Sequence, residues 1–347
     1  MPSIGSERIL SQRELNRAVL ARQLLLDRRN DALPRALERI GGIQAQYAPS
    51  MYIGLWSRLA GFERVQLTRA LERRSVVQAT LMRVTIHLVS AADYWPFAIG
   101  VRAARRERWM RARPEMSERQ LRAAAERARH RLADGPLPRA ELIEDMDARA
   151  FNGIGMWLDL VRVPPAGTWE RRRADIYGTA ESWLGPPSVT PSEGLELLIR
   201  RYLQGFGPGA PADIANWAGM PPREVNEALE QMELRHFRDE AGGLLVDLPR
   251  LALPEPDTPA PARFLPTWDA TLLVHCRRTL VLPEEHRHKV FHSKTPQSVP
   301  TFLVDGAVAG TWRHEKGRIE LKPFGKLARA DREELEDEGR RLATFHV

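Results

Sequence analysis

A chain of 347 residues with 43% hydrophobic content exceeds one typical compact unit and has enough apolar side chains to bury several small cores. No run approaches the roughly 18 apolar residues of a membrane span, the first residues lack the apolar stretch of a signal peptide, and the single Cys276 rules out an internal disulfide. A cytoplasmic protein with no membrane partner is the expectation.

The net charge of +7 is uneven. Residues 61–134 carry 16 basic against 8 acidic side chains, whereas residues 135–255 carry 12 against 19. A basic N-terminal third suits a polyanion. The ratio of 47 Arg to 5 Lys, beside abundant Ala, Pro and Gly, also fits GC-rich coding.

In chain order, Ser11 and Glu14 form a capping box opening an amphipathic helix over 11–29, with Leu15, Val19, Leu20 and Leu24 at helical spacing. Residues 34–40 make a shorter helix stopped by Gly41-Gly42, and 50–60 and 62–74 make two more. Residues 82–90 then alternate, with Val84, Ile86 and Leu88 on one face and Arg83, Thr85 and His87 on the other, the pattern of a half-buried strand. Residues 91–131 are helical and Arg-rich. Arg102, Arg105, Arg106 and Trp109 share a face there, which suits DNA phosphates or, equally, a solvated face whose Arg stems cover apolar surface.

A second unit starts at Asp134-Gly135-Pro136. It has a helical stripe of Leu142, Ile143 and Met146, a turn at Asn152-Gly153, a helix and strand within 156–163, and a wing from Pro164 to Arg173. The third unit has a helix over 195–203, a helix pair at 211–218 and 222–232, and a strand at 244–248. It is acidic, so it is expected to act as scaffold rather than to read bases. A Pro-rich linker over 252–262 leads to strands at 270–282, 300–304, 308–312 and 318–321. Turns fall at Asp305-Gly306 and Glu315-Lys316-Gly317, and a charged helix over 328–343 closes the chain. The predicted class is α+β: three tandem winged helix-turn-helix units over 1–133, 134–190 and 191–255, then a β-rich segment over 256–347, curved around a basic concave face. Nothing predicts coiled-coil pairing, so a monomer is expected.

Two chemical constellations stand out. His275, Cys276, His286, His288, His292 and His314 crowd into 40 residues, and His288 and His292 are spaced to share a helix face. No carboxylate or Cys-x-x-Cys completes a site, and flanking Arg and Lys repel cations, so no metal and no other cofactor is expected. The other is Gln44-Ala45-Gln46, beside the Gly-Gly break. In an extended segment its two amides share a face and can hold one water, donating and accepting together. Amides do not take a proton strongly, so the chemistry they support needs a leaving group that is already good.

The segment GGIQAQYAPSMYIGLWSRL resembles the catalytic motif of the AlkZ-like winged-helix DNA glycosylases, bacterial enzymes that excise bulky alkylated purines, including both sides of interstrand crosslinks. Arg83-Val84-Thr85-Ile86-His87-Leu88-Val89 resembles the family's Arg-x-Thr-x-His strand. Gly167-Thr168-Trp169-Glu170-Arg171-Arg172, with Tyr177 and Trp183, resembles its second wing. Phe206-Gly207-Pro208 with Asp213, Trp217 and Gly219 resembles its third helix-turn-helix, and Leu303 to Gly306 with Gly310 to Arg313 its C-terminal hairpin.

The resemblance implies hydrolysis of the N-glycosidic bond of a bulky N7-alkylpurine in duplex DNA, without full extrusion of the nucleotide. Gln44 and Gln46 would be catalytic, Arg83, Thr85 and His87 supporting, and Trp312, Arg313, His314 and Lys316 the hairpin tip that probes the minor groove. The amide at Gln46, where another branch carries an acid, points to the branch tied to self-resistance against DNA-alkylating natural products. N7 alkylation makes the purine cationic and a good leaving group, which suits a pair of amides. The five lysines all lie between 289 and 326, so no amine for a Schiff base is near the Gln pair in sequence, and a monofunctional enzyme is expected. A DNA-binding regulator without catalysis, and a protein that sequesters a toxin, are the alternatives.

Overall fold

The computed structural model describes residues 8–144, 148–273, 278–291 and 297–347. Its class is α+β, with three sheets. No helix among the described residues is long and apolar enough to cross a membrane.

The N-terminal half is organised by a six-stranded sheet. It begins with helix Leu33–Ile40, whose end is set by Gly41 and Gly42 at φ +76° and +80°, a conformation that costs other residues strain. Strand Ile43–Gln44, helix Ala48–Arg58, helix Arg64–Glu72, and strands Val76–Thr80 and Ile86–Ser90 follow. Strand Ile86–Ser90 lies between the other two. The same order recurs next: helix Glu118–Arg131, strand Leu137–Pro138, helices Arg139–Leu142 and Ala148–Ile154, then strands Leu160–Arg162 and Ile176–Thr179. The two sets join edge to edge, because Gln78 and Ala79 pair antiparallel with Arg162 and Val161. Their strands therefore form one continuous sheet.

A third set consists of helices Pro191–Phe206, Pro211–Ala218 and Pro222–Leu229, then strands Arg235–Asp239 and Leu244–Asp247. Strand Ile9–Leu10 adds to this sheet in parallel, so residues 9 and 10 are tied to residues far along the sequence. The N-terminal and third parts are also clamped where helices Ala91–Gly100 and Pro191–Phe206 cross. A Cβ on Gly194 would meet the Pro96 carbonyl oxygen at 2.5 Å and the Gly100 Cα at 3.0 Å, so only glycines allow the backbones to touch there. The C-terminal segment is a four-stranded antiparallel sheet capped by helix Arg329–His346.

Several local expectations are corrected. The first helix runs only from Gln12 to Arg22, because Leu24 turns left-handed at φ +57°. The Ser11–Glu14 capping box is present. The expected strand over 82–90 is a strand only over Ile86–Ser90. Met82–Val84 is a tight 3-10 turn in which Arg83 and Val84 have φ of +53° and +61°. Strand Val76–Thr80 was missed. Asn152-Gly153 is helical rather than a turn. A Cβ at Gly153 would lie 2.6 Å from Leu121 and 2.8 Å from Trp109, so this glycine serves close helix packing. Within 270–282, Ala270–Leu272 and Arg278–Leu280 are 3-10 turns, not strand. The hairpin turns hold: Asp305-Gly306 and Lys316-Gly317 have positive φ at both centres, as a type I′ turn requires. Met146 lies outside the described residues.

Candidate active site

Gln44 is the second residue of a two-residue strand and stands opposite His87. The extended pairing ends one residue later, where the Ala45 N–H donates to the Ile86 carbonyl at 2.7 Å. The Ile86 N–H would serve a further strand residue, but the Gln46 side chain takes its place, with Oε1 accepting at 2.7 Å. The two amides therefore differ in partner and in exposure. Gln44 is buried, at 5% exposure, while Gln46 is exposed.

Gln44 is held from behind. Its Oε1 accepts from Arg83 Nη2 at 3.4 Å, and Arg83 Nη1 also donates to the Trp217 carbonyl in the third helical set. The left-handed turn at Arg83 thus directs one guanidinium to both partners. Burial brings Arg83 down to about 10, and Arg108 adds to the effect. His87 is buried at 3% exposure, and its Nδ1 lies 3.0 Å from the Thr85 carbonyl, so that nitrogen carries the proton. Arg83, Thr85 and His87 lie in a turn and the strand entry that follows it, rather than along one strand face.

Burial, then the charge of Arg83, drives His87 down to about 3 from an ordinary 6.5. Below pH 6.5 the unfolded chain therefore binds a proton that the folded chain refuses. Stability is complete above that pH and falls as pH drops toward 3. The loss is about 2 kcal/mol by pH 5, from 1.36 kcal/mol per pH unit. His346, lowered to about 4 chiefly by burial, acts with the same sign. Urea unfolding at pH 7.5 and pH 5 measures the difference, and an NMR titration in which the His87 ring protonates above pH 5 would refute the assignment.

Gln46 opens onto a pocket of about 350 Å³ at the seam between the first two helix-and-strand sets. Val84 and Ile86 contribute one side, and Trp109, Phe151, Met156 and Leu160 bring apolar surface from the other. Its polar lining comes from Thr80, Tyr94, Arg105, Asp159, Arg162 and Asn152. Arg105 donates to the carbonyls of Thr80 at 2.7 Å and Gly155 at 3.2 Å. Arg162 donates to Thr80 Oγ1 at 3.2 Å and sits 5.4 Å from the Tyr177 ring centre. Sequence reasoning missed Tyr94, Asp159 and Arg162 as site residues. Tyr94 lies in a helix, Arg162 in a strand and Asp159 in the residue before that strand, and the pairing of strands 76–80 and 160–162 brings them beside Gln46.

The arginines of the row expected to meet DNA have partners within the protein. Arg102 pairs with Asp159 at 2.6 Å, Arg105 is buried, and Arg106 Nε donates to the Met156 carbonyl at 2.5 Å. Their guanidiniums fasten helix Arg102–Arg111 to residues 155–159. The C-terminal hairpin also divides. Trp312 is buried at 6% exposure and donates to the Leu265 carbonyl at 3.0 Å, so it anchors the hairpin and is not at its tip. Arg313 is exposed but paired with Glu315 and Glu320 at 2.8 and 2.6 Å, and His314 stacks on His346 at 4.2 Å. Lys316 is exposed in the turn. Of the histidine cluster, His275, Cys276 and His292 lie outside the described residues. The His286 ring packs on Phe324.

This arrangement places the chain in the fold of a DNA glycosylase: the structure of Streptomyces sahachiroi DNA glycosylase AlkZ matches it with a TM-score of 0.83 over 97% of each chain, at 20% identity. A comparison with curated proteins finds no match. The model of the AlkZ-like family, described as DNA glycosylase AlkZ-like, matches residues 37–345, so the chain belongs to the AlkZ-like DNA glycosylase family.

Proposed function

We propose that this DNA glycosylase is monofunctional, hydrolyses the N-glycosidic bond of bulky N7-alkylated purines in duplex DNA, interstrand crosslinks included, and serves self-resistance to a DNA-alkylating natural product. The three helical sets act as tandem winged helices around a basic concave face, and the hairpin tip with Arg313, His314 and Lys316 lies at the minor groove. The enzyme works as a monomer in the cytoplasm, at the nucleoid.

The observation that carries this reading is the exposed Gln46 amide, held by the Ile86 N–H at the mouth of the pocket. One lone pair of its carbonyl oxygen is used there. The second remains to orient a water, and the amide N–H2 group points the other way along the same planar group. The bond from N9 to C1′ breaks with its electron pair going to the purine, which loses its positive charge. Water adds to C1′ and releases a proton to solvent. Gln44, braced by Arg83, contributes a carbonyl dipole toward the sugar cation. Among the described residues that line the pocket there is no lysine, which supports a reaction without a Schiff base.

The test is excision from duplexes carrying N7-methylguanine, N7-benzylguanine or an interstrand N7–N7 crosslink, followed by heating in alkali. Strand scission is expected from the bulkier adducts, and borohydride added during turnover traps no protein–DNA adduct. Absence of scission from every substrate refutes catalysis. A trapped adduct refutes the monofunctional mechanism.

A further inference from the structure

We infer that the pocket beside Gln46 is a binding site for a neutral, planar aromatic group bearing hydrogen-bond acceptors, with the Tyr94 hydroxyl as a specificity-determining donor. The inference deepens the proposed function, since it names what the same site receives.

The argument starts from Tyr94. The residue is 1% exposed and sits in helix Ala91–Gly100, its ring 5.0 Å from that of Trp95. Among the described residues nothing makes a hydrogen bond to its hydroxyl, yet the side chain lines the pocket. The hydroxyl is not among the fully buried side-chain atoms that lack a partner, so it keeps access to the cavity and to whatever enters there. A donor held without a protein partner at a cavity wall is suited to an acceptor that arrives from outside.

The charges nearby choose the kind of acceptor. Arg105 and Arg162, at 4% and 9% exposure, both line the pocket. Its one carboxylate, Asp159, is already shared by Arg102 at 2.6 Å and Arg105 at 3.6 Å. Positive charge and N–H donors are therefore in excess. A cation is disfavoured, and carbonyl oxygens or ring nitrogens are favoured. The rings of Trp109, Phe151 and Tyr177 add flat apolar surface, which suits a planar group. The volume of about 350 Å³ exceeds what a single nucleobase fills.

Two parts of the substrate share this chemistry: the purine itself, neutral once the bond to C1′ has broken, and an aromatic substituent carried at N7. In either case the pocket favours the neutral group over a cationic one, so binding there strengthens as the purine loses its charge in the transition state.

Tyr94→Phe separates these outcomes. Its melting temperature should equal that of the wild type, because no protein hydrogen bond is lost. Free 7-benzylguanine and 7-methylguanine, titrated by calorimetry against wild type and variant, test the site without catalysis. Binding to the wild type with about tenfold weakening in Tyr94→Phe supports the inference. No binding, or equal binding by both proteins, overturns it. Single-turnover excision then identifies the source. A slowing of about tenfold for the N7-benzylguanine duplex alone assigns the substituent, and equal slowing for N7-methylguanine assigns the purine. If the wild type excises neither, the proposed function fails while the titration still decides the pocket. If it excises and Tyr94→Phe matches it on both duplexes, the pocket assignment fails and the glycosylase reading stands.

Discussion

Gln46→Ala is expected to lower single-turnover excision of an N7-alkylguanine by about 10²- to 10³-fold, the range found when one preorganised dipole is removed from a transition state. Its melting temperature should stay close to that of the wild type. Gln46 is exposed, so water replaces its carbonyl at the Ile86 N–H. Gln44→Ala should behave differently. Gln44 is buried and accepts from Arg83, whose guanidinium has little access to water. Removing that acceptor costs about 1–3 kcal/mol and loosens the turn that links residues 82–84 to Trp217. Both variants lose excision, but only Gln44→Ala loses stability, while duplex affinity stays within a few fold for each. Stopped-time excision assays, thermal melts and a duplex titration measure the three quantities. Wild-type excision by Gln46→Ala would remove it from the chemistry, and an unfolded Gln46→Ala would make it a structural residue.

That contrast shows what the sequence conveyed and what it could not. Capping boxes, helix stops and type I′ turns are local, so Ser11–Glu14, Gly41-Gly42, Asp305-Gly306 and Lys316-Gly317 were legible from residue identity alone. The pairing of Gln44 with Gln46 was legible as a spacing, but its geometry depended on where the strand ended. A side chain replacing a backbone acceptor leaves no periodic signal. Alternation over 82–90 mimicked a strand because Arg83 and Val84 occupy left-handed turn positions that non-glycine residues rarely take. The arginines at 102, 105 and 106 show the limit of charge as evidence. A guanidinium with an aliphatic stem serves a buried carbonyl as readily as a phosphate, and only the tertiary contact distinguishes them. The pocket was invisible for a related reason. It exists only because two strands more than 80 residues apart in sequence pair edge to edge.

Asp269→Ala should be the most destabilising of the polar substitutions, by about 3–5 kcal/mol, because it strands a buried charge. Arg58, at 2% exposure, donates to both Asp269 oxygens at 2.9 and 3.0 Å, and also to the Gly54 carbonyl and Gln23 Oε1. Asp269, at 4% exposure, in turn accepts from the backbone and hydroxyl of Thr271. The pair ties helix Ala48–Arg58, which follows the Gln motif directly, to the C-terminal segment. Burial alone would push the Asp269 carboxyl up, but the Arg58 charge, with the bonds from Arg58 and Thr271, outweighs it and holds the group below its ordinary 3.8. The folded pKa is depressed, so this stabilisation is present above about pH 4 and is lost as pH falls through the lower folded value. Urea unfolding at pH 7 should show the full loss in Asp269→Ala, and the gap to wild type should narrow below pH 4. The double variant Arg58→Met/Asp269→Leu should recover much of the stability, since an apolar pair leaves no charge to solvate. A single variant within 1 kcal/mol of wild type at pH 7 would mean that water reaches Arg58 and that the contact is not the clamp between these two parts of the fold.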